Sequence, residues 1–433
     1  MSLRTKLFAD GIYTFAFRLV NMGLAAALGI VTARLLGPHG RGVYALPLVT
    51  FSLVTAAFAG LNNATAYFML RRDAGRGAIA PALWSATAFV AIGIPAAAIV
   101  ARTVGAPWAA YPAMLVLPAP AILAVFYGYQ IGIDRVRMNT SYAALNTALF
   151  LTLMLLAMWA LGTTVTSAIT AWIAASDSFA LGALLWLFFD ARRLARGSVS
   201  FREFFGYAVR VGVVSLVSLL NYRADVYIVA AFGGPTLLGL YTLAVTAAEM
   251  LLAATQITAV VSTPQIGAME NERAAGELTA RCVRNNVVMA LVACTLLGFI
   301  APVAVRLLYG EAFLPMIPAF RILLVGVFAL SLGSPISSYF TVRLGKPQIA
   351  FTLASLSAIV CIVTSLLCVP RFGLVGAAFG STLGYVVGQI ATVTTFARLS
   401  GLGVARIVLP RWSDITAYAS AGSALLRTLK RAA

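Results

Sequence analysis

Long apolar segments recur along the whole chain of 433 residues, and they constrain its fold more than any other feature. The sequence is 61% hydrophobic and only 10% charged, whereas soluble proteins carry roughly 25% charged residues. Each segment reaches the roughly 20 residues that an α-helix needs to cross about 30 Å of hydrocarbon. The sequence therefore predicts an all-α polytopic membrane protein, with lipid as its solvent.

Hydropathy and turn residues together predict about 12 transmembrane helices in two sets of six. The first set covers residues 11–36, 43–69, 79–102, 108–130, 141–162 and 165–190. The second set covers residues 206–232, 236–262, 285–308, 317–342, 348–369 and 373–397. The first apolar stretch follows Arg4 and Lys6, but it is too long for the apolar region of a signal peptide. We interpret it as a retained span.

Cationic residues concentrate in every second predicted loop. The rich loops carry Arg71, Arg72, Arg76, Arg135, Arg137, Arg192, Arg193, Arg196, Arg202, Arg273, Arg281, Arg284, Arg343 and Lys346. The opposite loops carry only Arg34, Arg41, Arg102, Arg306 and Arg371. The positive-inside rule places the rich loops, and with them both termini, in the cytoplasm. The net charge of +18 is therefore interpreted as a topology signal, with no nucleic acid as partner.

The C-terminal residues 398–433 form a basic tail on the predicted cytoplasmic side. Apolar residues from Ile415 to Leu429 recur at helical spacing, with Arg427, Lys430 and Arg431 mostly on the other side. This pattern is typical of a helix that lies on anionic headgroups. A disordered basic tail is the alternative.

A short motif occurs twice, with its second copy 197 residues further along the chain. Gly37-Pro38, Gly42, Tyr44 and Leu46 recur as Gly234-Pro235, Gly239, Tyr241 and Leu243. Each copy lies where the first two spans of a six-span half are joined, and Gly and Pro favour a tight turn there. The repeat predicts two six-helix bundles, 1–195 and 196–397, followed by the tail 398–433. An even number of spans per half predicts a pseudo-two-fold axis along the membrane normal, with the substrate path between the halves.

Ionisable residues inside apolar spans mark functional surfaces, because their insertion into hydrocarbon is costly. Arginine can bind a phosphate group through two parallel hydrogen bonds, so an arginine-rich cavity suits a phosphate-bearing substrate. The predicted cavity residues are Arg18, Asn21, Asn63, Tyr67, Arg210, Asn221 and Arg223. The candidates for ion coupling or charge pairing are Asp177, Asp225 and Glu249. Arg321 is either a further ligand or an interfacial residue.

The sequence contains little material for metal or catalytic chemistry. Its only histidine is His39, and its four cysteines show no metal-ligand spacing. The predicted outer loops contain no paired carboxylates for acid/base catalysis. We therefore expect no catalytic residues, no metal and no cofactor, with sodium, protons and the membrane potential all open as driving forces.

The motif regions resemble a known family. The chain is similar to the Wzx-type polysaccharide and O-antigen flippases at residues 33–38 (ARLLGP) and 40–45 (GRGVYA), and in the second half at Arg223-Ala224-Asp225, Gly239-Leu240-Tyr241 and Pro264. These belong to the multidrug/oligosaccharidyl-lipid/polysaccharide (MOP) exporter superfamily. The resemblance implies a bacterial inner-membrane flippase that uses alternating access to export a polyprenyl-pyrophosphate-linked glycan. We expect the lipid-linked glycan and membrane lipids as binding partners, with a glycan polymerase or a glycosyltransferase as a possible protein partner.

Two other functions compete with this interpretation. A small-molecule, drug-type exporter of the same superfamily shares the architecture, and the arginines disfavour cationic drugs but not anionic ones. A membrane enzyme of glycan assembly is the second alternative, and the short outer loops without paired carboxylates disfavour it.

Overall fold

The computed structural model describes residues 3–71, 76–193, 197–269 and 271–411, and the regular structure within these ranges is entirely helical. The first eight helices are α1 (Leu3–Thr55), α2 (Ala59–Arg71), α3 (Ile79–Thr103), α4 (Ala110–Val116), α5 (Pro118–Gly132), α6 (Val136–Leu161), α7 (Val165–Asp190) and α8 (Phe201–Phe232). The others are α9 (Gly234–Ala268), α10 (Glu272–Leu308), α11 (Ile317–Ser331), α12 (Gly333–Ser338), α13 (Pro347–Ser400) and α14 (Val404–Val408).

Two of the long helices are each interrupted by a glycine. Gly37 (φ 65°) divides α1, and Gly373 (φ 54°) divides α13. Both backbones have a positive φ, which glycine adopts without steric cost. The described residues contain 10 segments long and apolar enough to cross a membrane, and the segments Ala16–Leu70 and Gln348–Ser400 each include one of these breaks. Counted as two crossings each, they confirm the predicted total of about 12.

The joints at the two motif copies are shorter than predicted. We expected loops before residues 43 and 236, but helical structure resumes directly after Gly37 and from Gly234 onward. Gly234 also has a positive φ, of 72°. A single glycine therefore reverses the chain direction at each copy, and the proline that follows it begins the next helix.

The described chain divides into two compact units. The first contains the residues up to Thr242 and the segment Leu307–Phe313, and the second contains Leu243–Arg306 and the residues from Leu314 onward. Helix α8 belongs to the first unit because it packs along α2 and α3. The packing boundary thus differs from the repeat boundary, and the predicted bundles 1–195 and 196–397 stay a prediction.

Each unit has its own apolar core. In the first, Phe68, Phe126 and Phe204 are almost completely buried where α2, α5 and α8 pack. In the second, Phe340 and Phe396 are buried together, and α11 packs along α13. Small residues permit this packing, since without a hydrophobic force between helices close backbone approach supplies the attraction.

The C-terminal tail is described as far as residue 411. Its short helix α14 is held against α10 by an ion pair between Arg406 and Glu277. Arg284 Nη1 also donates a hydrogen bond to the carbonyl oxygen of Arg406, at 2.8 Å. The predicted interfacial helix from residue 413 lies outside the described residues.

Candidate functional site

The two copies of the repeated motif contact each other within the first unit. A Cβ atom at Gly42 would collide with the carbonyl oxygen of Pro235, and a Cβ atom at Gly239 would collide with the carbonyl oxygen of Pro38. His39 Nδ1 lies 3.2 Å from the hydroxyl oxygen of Thr236. The segment after Gly37 and the start of α9 therefore cross backbone against backbone.

This crossing has the symmetry of the sequence repeat. Gly42 and Pro235 exchange roles with Gly239 and Pro38 under the shift of 197 residues, and His39 meets its own counterpart, Thr236. A contact in which two equivalent patches pair with each other is what a local two-fold axis produces. The duplication inferred from the sequence thus has a structural counterpart at this crossing.

The motif tyrosines differ in their hydrogen bonding. Both are buried, but Tyr241 donates a hydrogen bond to the carboxylate of Asp225, whereas the hydroxyl of Tyr44 has no partner among the described residues. The position in the first half that corresponds to Asp225 is occupied by Leu28. The two motif copies therefore make equivalent backbone contacts but differ in the hydrogen bonding of their tyrosines.

The packing of α2 against α8 brings several of the predicted cavity residues together. The helices run antiparallel, with Gly60 against the backbone at Ala208, and the ring of Tyr67 stacks on that of Tyr207 at 4.8 Å. Asn63 lies one turn before Tyr67 and Arg210 lies one turn after Tyr207, so both are on the same side of the stack. We call Asn63, Tyr67, Tyr207 and Arg210 the α2–α8 cluster.

The cluster offers hydrogen-bonding groups beside an aromatic surface. Asn63 and Arg210 are exposed. Arg210 Nε donates to the carbonyl oxygen of Gly206 at 3.1 Å, and its terminal nitrogens make no hydrogen bond to another described residue. Asn63 Nδ2 likewise donates to the carbonyl oxygen of Ala59, at 2.8 Å. A guanidinium fixed through Nε can still present its terminal nitrogens to an anion.

The other predicted cavity residues do not join this cluster through any described contact. Arg18 is exposed on α1, and Asn21 is half-buried with its Oδ1 unpaired within the described chain. Arg223 is half-buried on α8, two residues before Asp225. The side chain of Asn221 lies outside the described part of the structure. The assignment of all seven residues to a substrate cavity remains a prediction.

The three candidate acids lie in different environments. Asp225 is only 1% exposed and accepts hydrogen bonds from the Tyr241 hydroxyl and the Val226 backbone N–H. Asp177 is exposed on α7, and Glu249 is half-buried on α9. Among the described residues, no three His, Cys, Asp or Glu side chains are grouped so that they could hold a metal ion. Ion coupling through these acids remains a prediction.

Sequence reasoning missed a polar network at one end of the first unit. Asp190, at the end of α7, accepts hydrogen bonds from the Tyr129 hydroxyl at 2.7 Å and from Arg135 Nη1 at 2.8 Å. This network joins the ends of α5 and α7 to the turn before α6. The only signal was an acid at the end of a span close to an arginine-rich loop.

A second missed feature is a buried amide in the second unit. Asn286 is completely buried in α10; its Oδ1 accepts a hydrogen bond from the Thr258 hydroxyl, and its Nδ2 donates to the carbonyl oxygen of Ser331. These bonds connect α10 to α9 and α11. Asn286 lies at the start of the predicted span 285–308, where polar residues commonly face the membrane interface. Its burial could therefore not be predicted from the sequence.

The comparison with protein families decides where the chain belongs. A family model described as "Polysaccharide biosynthesis protein" matches residues 31–318. The chain belongs to this family. No curated protein sequence matches it. The resemblance inferred from the motif regions is therefore confirmed at the level of the family.

Solved structures show the fold of this polysaccharide biosynthesis family member. An inward-facing multidrug resistance MATE family transporter of the MOP superfamily matches with a TM-score of 0.72 and 20% identity, over 90% of this chain and 98% of that one. The lipid II flippase MurJ, in an inward closed conformation, matches with a TM-score of 0.73 and 11% identity, over 91% and 90% of the two chains. The chain thus has the MOP transporter fold, and the proteins it matches are transporters and not enzymes.

Proposed function

We propose that this family member is a flippase, not an enzyme, that moves a polyprenyl-pyrophosphate-linked oligosaccharide from the cytoplasmic to the outer leaflet of the bacterial inner membrane. The observation that carries the proposal is the α2–α8 cluster in a transporter fold of a polysaccharide biosynthesis family. Arginine and asparagine can bind phosphate and sugar hydroxyl groups, and stacked tyrosines offer a flat apolar surface to a sugar ring. A cationic drug would be repelled by Arg210.

The free-energy cost of holding an arginine in hydrocarbon supports an aqueous path for the substrate. An arginine held against hydrocarbon must reach the interface or thin the bilayer, whereas one that lines a wet cleft keeps its hydration. We place Arg18, Arg210 and Arg223 in such a cleft, which is opened to each side of the membrane in turn. In this scheme phosphate oxygens replace water around the guanidinium groups. The alternation is driven by sodium, protons or the membrane potential, and both termini lie in the cytoplasm.

Surface glycan export tests the proposal directly. We expect the double substitution Arg18→Ala and Arg210→Ala to reduce surface glycan at least about tenfold, since each lost charge-assisted contact is worth about 1.5–3 kcal/mol. Arginine-to-lysine changes should restore export only partly, because lysine lacks the planar fork. Arg102→Ala is the matched control. Arg102 is an exposed arginine in the last turn of the apolar helix α3 and is not one of the predicted cavity residues.

Membrane abundance must be measured for every variant, so that loss of export is separated from loss of protein. Wild-type surface glycan from the double variant at normal abundance would contradict the proposed site. Drug susceptibility of a deletion strain with unchanged surface glycan would favour the drug-type exporter instead.

A further inference from the structure

A groove lies between α10 and α11 in the second unit, and it shares no residue with the α2–α8 cluster. Its volume is about 490 Å³, and its lining includes Leu291, Gly298, Phe299, Val325 and Arg321. Leu291, Phe299 and Val325 are 54%, 78% and 57% exposed. Large apolar side chains with this exposure on membrane-spanning helices are suited to contact with lipid, so we take the groove to open sideways into the bilayer.

Arg321 is the one charged residue among those that line this groove. It is exposed, and its Nε donates a hydrogen bond to the carbonyl oxygen of Gly298 at 3.0 Å. That bond holds the guanidinium against α10. The two terminal nitrogens make no hydrogen bond to another described residue, so their four N–H donors are available to a ligand in the groove.

The guanidinium of Arg321 lies well inside a membrane-spanning segment, so leaving it without an anion costs free energy. Gly298 lies ten residues before the end of α10 at Leu308, about 15 Å along the helix axis at about 1.5 Å per residue. Both α10 and the segment Glu311–Arg343 qualify as membrane spans. A charged guanidinium at this depth and open to lipid is expensive unless an anion pairs with it or the bilayer deforms around it.

We infer that this groove binds an anionic phospholipid of the surrounding membrane, with its phosphate on the terminal nitrogens of Arg321 and an acyl chain along Leu291, Phe299 and Val325. The planar fork of arginine matches two phosphate oxygens. The apolar lining matches a hydrocarbon chain, and the exposed rim allows lateral entry from the bilayer. The inference does not rest on the proposed transport function, because the groove contains none of the seven predicted cavity residues, and it resolves the open choice for Arg321 in favour of an interaction with membrane lipid.

Lipid binding to the purified full-length protein tests the inference. Native mass spectrometry of delipidated protein would measure the affinity for phosphatidylglycerol and, for comparison, zwitterionic phosphatidylcholine. We expect the wild type to bind phosphatidylglycerol more tightly, because phosphatidylcholine carries a choline cation that Arg321 repels beside the same phosphate. Arg321→Ala should abolish this preference, and Arg321→Lys should retain part of it. Arg321→Ala should also weaken the binding of phosphatidylglycerol about tenfold, the size of one charge-assisted contact.

Two further variants separate charge from shape. Thr295→Trp places a large ring in the groove and should weaken the binding of both lipids while Arg321 is still present. Arg371→Ala removes another exposed arginine of the second unit and should leave lipid affinity unchanged. Thermal unfolding in detergent shows that each variant is folded before its lipid affinity is compared.

Three results would overturn the inference. The first is wild-type affinity for phosphatidylglycerol in both Arg321→Ala and Thr295→Trp. The second is equal affinity of the wild type for the two phospholipids. The third is displacement of phosphatidylglycerol by a tenfold lower concentration of undecaprenyl phosphate, which would assign the groove to a carrier lipid.

Discussion

At the scale of single residues, many polar side chains in the described helices donate hydrogen bonds to backbone carbonyl oxygens of the same or a neighbouring helix. Thr65 and Thr152, for example, donate to the carbonyl oxygen four residues before them, a common bond for hydroxyls within helices. Arg210 and Arg321 use Nε in a similar way, on Gly206 and Gly298. The consequence is that both guanidinium groups are oriented by the backbone while their terminal nitrogens stay available to an anion.

The motif tyrosines provide an internal comparison of one buried hydrogen bond. Tyr241→Phe should lower the thermal stability of the purified protein, because buried Asp225 loses a hydrogen-bond donor, at a cost of about 1–3 kcal/mol. Tyr44→Phe is the matched control, since its buried hydroxyl has no partner among the described residues, and it should be neutral or slightly stabilising. Thermal unfolding in one detergent checks both. Equal losses of stability in the two variants would contradict the assigned role of Asp225.

At the scale of helices, glycine residues determine how closely two helices can approach each other. The two helices that begin after the motif glycines cross at Gly42 and Gly239, where each backbone occupies the space that a side chain of the other would need. Close approach of this kind is the main source of helix attraction in lipid, since burial of apolar surface gives little advantage there. The crossing should therefore tolerate no added methyl group.

Substitution of Gly42 or Gly239 by alanine tests this contact. We expect either change to separate the helices and to reduce both the folded fraction of purified protein and surface glycan export by several-fold. Gly23→Ala is the matched control, because a Cβ atom on Gly23, also in α1, would meet nothing within 4 Å. Size-exclusion profiles and membrane abundance measure folding. Normal folding of Gly42→Ala and Gly239→Ala would show that the crossing is looser than the structure indicates.

At the scale of the whole molecule, the alternation of cationic loops predicts the orientation in the membrane. Reporter fusions after Arg72, Arg137, Arg196, Glu272 and Lys346 should all report the cytoplasm, because short loops rich in Lys and Arg are retained there. A fusion at Gly162, in the turn between α6 and α7, should report the opposite side. Outer-side signals at any two of the first five positions would contradict the map of 12 spans.

The sequence by itself determined the membrane-spanning helices of this protein and the position of its internal repeat. Span 165–190 coincides with α7, and the ends of most other spans differ from the helices by a few residues. Crossing a bilayer depends on the apolar composition of one continuous segment, which is a local property. The duplicated glycines and prolines were likewise readable as a local pattern.

Only the tertiary structure decided which polar residues meet. It brought the ring of Tyr67 against that of Tyr207 and the Tyr241 hydroxyl against Asp225, whereas Tyr44 has no equivalent partner among the described residues. It also placed Arg321 in a groove between α10 and α11. These contacts join residues on different helices, and their geometry depends on which small residues allow two backbones to approach. Hydropathy identifies that a helix crosses the membrane, but the direction in which each side chain points follows from the packing of its neighbours.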